Sequence, residues 1–109
     1  MKLYTSKEQT AKLIELGFEK PKSMKGEHNG WQFMPTPAYT IGELIEMLPE
    51  VLAPSNNDDW EMPLSISTDS FIWTVEYDGG EFSPYETASN ELIDALYDMV
   101  TMLKEEGVI

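Results

Sequence analysis

The chain has 109 residues, 41% of them hydrophobic, with three Trp, five Tyr and four Phe. That is material for one domain around one core, and too apolar for disorder. Cysteine is absent, which excludes disulfides, thiolate metal sites and cysteine nucleophiles. Twenty acidic residues face seven lysines and no arginine, for a net charge of −13. Phosphate binding draws on lysine and arginine, so this balance argues against nucleic acid and anionic lipid as direct partners.

The charge is unevenly spread. Residues 1–25 hold six lysines and three glutamates, a net of +3, whereas residues 26–109 hold Lys104 and seventeen acids, a net of −16. Met1–Glu8 lacks the apolar run of a signal peptide, and no stretch reaches the roughly 18 apolar residues of a membrane span. The expected compartment is the cytoplasm.

Taken in chain order, the first element is a helix over 6–16. Thr5 with Glu8 reads as a capping box, Ala11, Leu13, Ile14 and Leu16 give apolar spacing, and Gly17 suits the C′ position. Residues 19–30 read as a loop or ragged strand. Trp31 and Phe33 flank Gln32 in a short strand ending at Pro35-Thr36-Pro37. Thr40 and Glu43 form a second capping box, opening a helix through Ile41, Leu44, Ile45 and Leu48 that Pro49 either ends near residue 48 or kinks.

Residues 53–61 have loop composition. The strongest β signal follows. With Asp69-Ser70 as a two-residue turn, Ile66 faces Trp73, Leu64 faces Val75 and Met62 faces Tyr77. Phe71, Trp73, Val75 and Tyr77 then form an aromatic face, packed beneath helices with Trp73 buried; a ligand platform is the alternative. Asp78-Gly79 reads as a type I′ turn that returns a third strand through Phe82. Ser83–Glu86 or Ser89 caps a last helix with the stripe Leu92, Leu96, Met99 or Val100, and Leu103, closing at Gly107. The expected fold is α+β, a single domain over 1–109 in the order α-(β)-α-β-β-β-α, with a sheet of three to four strands against two to three helices.

The segments Tyr39–Pro49, Glu91–Val100 and Leu103–Gly107 give the chain a likeness of arrangement. It resembles small uncharacterised acidic proteins of phages, prophages and integrated elements of gut bacteria. Proteins of that kind have no established activity, so the resemblance implies no functional residue.

The residues themselves show no catalytic constellation. His28, the single histidine, sits in Lys25–Gly30, whose composition reads as an exposed turn. Asn56, Asn57, Asp58, Asp59 and Glu61 are dense in oxygen ligands but lack the alternating spacing of a calcium loop. Glu76, Asp78, Glu81 and Glu86 could supply the paired carboxylates of a hydrolase, as any acidic hairpin would. Neither a cofactor nor a metal is expected.

Glu91, Asp94, Asp98 and Glu105 fall near one face of the last helix, making an acidic stripe suited to a basic partner. The leading expectation is a non-enzymatic accessory protein working through protein contacts. The alternatives are an acidic mimic occupying a nucleic-acid-binding surface and, last, a carboxylate hydrolase. An unidentified protein, basic where it meets the acidic stripe, is the expected partner, with homo-oligomers allowed. Self-repulsion among the acids carries a prediction: about 0.1–0.5 M salt should raise the melting temperature by screening. Duplex DNA should not bind at physiological salt. A flat or falling melting temperature, or micromolar DNA binding, would contradict this reading of the charge.

Overall fold

Capping side chains set where the first two helices begin. The computed structural model describes residues 1–29, 32–52, 61–79 and 83–109, and side chains 27–29 and 32–34 are left aside. Helix α1 spans Lys7–Glu15, with Ser6 rather than Thr5 as its cap. The Ser6 side chain accepts from the Gln9 N–H, and the Gln9 side chain accepts from the Ser6 N–H. Thr5 is unavailable because it is fully buried. Its hydroxyl accepts from the Tyr39 N–H at 3.0 Å and lies 2.7 Å from the Thr10 hydroxyl. Gly17 ends the helix at φ +103, a conformation open to glycine.

Helix α2, Ile41–Met47, opens on the expected Thr40/Glu43 box. Leu48 leaves helical geometry at ψ 134, as a residue preceding proline does. Helix α3, Leu92–Glu105, has Glu91 at its N-cap without a side-chain cap bond, while the Ser89 hydroxyl accepts from the Glu91 N–H. Gly107 follows its end at φ +76.

Among the described residues six strands complete the architecture: β1 (Met24–Asn29), β2 (Gln32–Pro37), β3 (Val51–Leu52), β4 (Met62–Asp69), β5 (Ile72–Tyr77) and β6 (Tyr85–Ser89). The fold is α+β. Strands β1 and β2 make an antiparallel ribbon, and the others form an antiparallel sheet in the order β3-β4-β5-β6. The backbone of His28 lies in β1 opposite Phe33, not in a turn. Pro35 and Pro37, which have no N–H to donate, keep further strands from extending β2. The radius of gyration is 15.5 Å, against about 13 Å for a rounded domain of this length, and the long dimension is 57 Å.

Two registers differ from expectation. The β4–β5 turn is centred on Ser70-Phe71, not Asp69-Ser70, so Ile66 opposes Val75 and Leu64 opposes Tyr77. Moving the turn by one residue moves each partner by two, which leaves every side chain on its original face. Hydrophobic alternation alone cannot distinguish the two. The third strand is β6, with Tyr85 opposite Tyr77. Starting it beyond Pro84 keeps that proline out of the ladder. Gly80, Glu81 and Phe82, where the strand was expected, lie outside the described residues. The two-residue β3 had no signal of its own; it pairs Val51 with Pro63 and Leu52 with Met62.

The core lies between one sheet face and the helices. Its buried side chains include Leu13 from α1, Leu44 from α2, Met62, Val75 and Tyr77 from the sheet, and Ile93, Leu96, Met99, Val100 and Leu103 from α3. The buried tyrosines are satisfied at their polar ends. Tyr77 donates to the Pro49 carbonyl at 2.7 Å, and Tyr39 donates to the Glu19 carbonyl. Trp73, expected in the core, is only half-buried at its margin, and Phe71 is not in the core at all. Among the described residues, no helix is long and apolar enough to cross a membrane.

Two predictions follow from this packing. Leu96→Ala should cost about 2–5 kcal/mol in urea denaturation, and Trp73→Ala less, since part of the indole already meets water. A larger loss at Trp73 would contradict the placement of the core. Burial also pushes the Tyr77 hydroxyl up to about 12 from its ordinary 10.0. A raised folded-state value means stability that is complete below pH 10 and lost as pH climbs through 12. The loss should approach about 3 kcal/mol. Tyr77→Phe should remove that alkaline slope, and an unchanged slope would assign it to another group.

Candidate functional site

The acidic stripe of α3 faces the N-terminal segment. The Lys2 ammonium lies 2.8 Å from Asp94 Oδ1, and the Gln9 amide donates to the same oxygen at 2.8 Å. The Lys2 backbone N–H donates to Glu91 Oε2 at 2.8 Å, and Lys12 lies 3.5 Å from Glu105. Burial raises the Asp94 carboxyl, but the hydrogen bonds from Lys2 and Gln9 and the Lys2 charge outweigh it and hold it below the usual carboxylate range. Asp98 behaves oppositely: burial and then the Asp94 carboxylate one turn back push it up. Three of the four stripe residues are therefore engaged within the chain, and Asp98 and Glu105 are its exposed members. Sequence spacing placed all four near one face, but not what lies against it.

The other acidic candidates do not converge on a cleft. Glu76 on β5 stands opposite Glu86 on β6, on the sheet face turned away from Val75 and Tyr77. Like charges directly opposite destabilise a sheet, and neither glutamate lines either of the two grooves below. Asn56–Asp59 and Glu81 lie outside the described residues. No three His, Asp or Glu side chains among the described residues are placed to hold a metal ion.

Two concave regions stand out. The smaller, about 210 Å³, lies between the end of α1 and α2 and is lined by Phe18, Glu19, Lys20, Lys22, Tyr39, Glu43, Glu46 and Met47. Its central groups are already committed. Glu43 closes the α2 capping box and accepts from the Lys22 N–H, and the Tyr39 hydroxyl is on Glu19.

The larger region, about 610 Å³, lies at the tip of the β4–β5 hairpin. Thr68, Asp69, Ser70, Phe71 and Trp73 form one side; Asn90 and Glu91, from the turn into α3, and Met1 form the other. The hairpin geometry explains why apolar groups gather there. A type I′ turn, one of the two types matched to the strand twist, needs positive φ at both central positions, and Ser70 (φ 50) and Phe71 (φ 69) supply it. An L-residue in that region costs roughly 1–2 kcal/mol, and glycine or asparagine is the usual occupant. Phe71 recovers nothing through burial, because it is 89% exposed.

Met1 is 72% exposed beside it, and the half-buried Trp73 forms part of the floor. Sequence reasoning placed Phe71 on the strand because either turn centre satisfies the alternation. The signal that could have found it is the choice between Asp69-Ser70 and Ser70-Phe71, which the pattern leaves open. Compared with protein-family models, curated proteins and solved structures, the chain matches none.

Proposed function

We propose that this chain is a non-enzymatic, cytoplasmic accessory protein, of the phage and mobile-element kind it resembles, that acts through protein contacts at the β4–β5 hairpin tip. The observation that carries the reading is Phe71, a large apolar side chain held 89% exposed at φ 69 on a turn where a small residue would serve the fold better. Aromatic residues and methionine are enriched at the centres of protein interfaces. Phe71, Trp73 and Met1 gather at one groove. A hydrolase reading has less support, because Glu76 and Glu86 line neither groove.

The acidic-mimic reading keeps the net charge of −13 in its favour. Against it, Asp94 and Glu105 are paired with Lys2 and Lys12 inside the chain. The test is capture from a lysate of the source cells by the wild-type chain and by Phe71→Ser, at low and high salt. Contact through the tip predicts a species retained at high salt by wild type and lost with Phe71→Ser. A mimic predicts capture that collapses with salt and ignores residue 71. Identical captured sets at both salts would overturn the tip as the contact surface.

A further inference from the structure

The groove at the hairpin tip is apolar in its floor and acidic at its rim. Met1, Phe71 and Trp73 supply the apolar surface, and Asp69 and Glu91 stand at its two sides. No lysine lines it among the described residues. Against Asp69 and Glu91 the lining sets one cation among the described residues, the N-terminal ammonium of Met1. Lys2 holds its ammonium on Asp94 at 2.8 Å and Gln9 at 3.2 Å, and donates its backbone N–H to Glu91. Among the described residues, Asp69 meets only the neighbouring Ser70 hydroxyl, at 3.3 Å, on one carboxylate oxygen.

Resting on the contact reading above, we propose that this groove takes a basic peptide segment bearing one bulky apolar side chain, seated between Phe71, Trp73 and Met1 with its flanking lysines or arginines on Asp69 and Glu91. Size and charge set this occupant apart from others. A groove of about 610 Å³ falls within the roughly 300–1,000 Å³ of small binding sites. That is room for one or two side chains, not a folded domain. It is also open, with Phe71 and Met1 standing in water, which suits a chain laid across the surface better than an enclosed small molecule. A second copy would bring a further −13, and nucleic acid or anionic lipid would meet the same field. A basic segment gains from that field on approach and from the apolar floor once seated.

The test uses the full chain and fluorescent peptides followed by polarisation. The first probe carries one Phe between runs of lysine; a second has Ser in place of the Phe; a third has glutamates in place of the lysines. The first should bind, and the second at least about tenfold more weakly, a factor worth about 1.4 kcal/mol. Phe71→Gly should lower affinity for the first probe by a similar factor while raising the melting temperature, because glycine accepts φ 69 without strain. That pairing of gain and loss separates a contact role from a structural one. Asp69→Asn combined with Glu91→Gln should weaken binding several-fold and flatten its salt dependence.

Equal binding of the first two probes, or affinity unchanged by Phe71→Gly, would overturn the proposal, since a diffuse negative field would then suffice. Phe71-dependent binding of the acidic probe would overturn the basic partner while leaving the contact reading intact. Absence of binding by every probe at about millimolar peptide would overturn the peptide occupant, and the lysate capture would decide the contact reading separately.

Discussion

Everything else in this molecule is arranged around the burial of α3. Seven of its fourteen residues are buried, and they supply half of the fourteen core side chains among the described residues. A helix this apolar cannot stay in water, and at about 1.5–3 kcal/mol for each large side chain its burial is the main source of stability. The sheet face carrying Val75 and Tyr77, the short helix α2 and Leu13 of α1 are the surfaces that cover it. The opposite sheet face, with Ser67, Glu86 and Ala88, is left to solvent.

Polar groups then fix how the covering elements sit. Thr10 donates its only hydroxyl proton to the Ser6 carbonyl at 2.8 Å, so the 2.7 Å contact with Thr5 must run from Thr5 to Thr10. The Thr5 oxygen is left to accept from the Tyr39 N–H, while the Thr5 N–H donates to the Tyr39 carbonyl at 3.0 Å. One buried threonine thereby joins the start of α1 to the chain entering α2. The lysines of the N-terminal segment serve the same end electrostatically, setting Lys2 and Lys12 against the acids of α3. These partly exposed pairs are each worth little, about 0–1 kcal/mol. They place positive charge where a stripe of like charges would otherwise repel itself.

The hairpin tip is where stability and interaction pull apart. Either turn centre keeps Leu64, Ile66, Val75 and Tyr77 on the buried face. In the register adopted, Val75 and Tyr77 oppose Ile66 and Leu64, Tyr77 reaches Pro49, and Phe71 is displaced from the strand into the turn. The local strain is small beside the core, so the fold tolerates it. Its consequence is an aromatic side chain in water beside an acidic rim.

How much of this was legible in the sequence follows from the range of each interaction. The starts of α1 and α2 and the stops of all three helices were readable to within a residue or two, because these signals are local. Thr40 with Glu43, Gly17 and Gly107 are such local signals. The start of α3, expected from a cap at Ser83–Glu86 or Ser89, falls at Glu91 with no side-chain cap, and Tyr85–Ser89 is a strand instead. Strand faces were readable as well, because alternation is local. The cap at Ser6 rather than Thr5, the turn at Ser70-Phe71, the strand begun beyond Pro84 and the two residues of β3 were not. Each involves a group distant in sequence: Tyr39 for Thr5, Pro49 bonded to Tyr77 in the adopted hairpin register, Tyr77 for β6, Met62 and Pro63 for β3. The same limit governs the candidate sites. The spacing of Glu91, Asp94, Asp98 and Glu105 follows from helix periodicity, but only folding brings Lys2 and Lys12 against them. Only folding sets Met1, Phe71 and Glu91 around one groove, because residues so far apart in the chain become neighbours through packing alone.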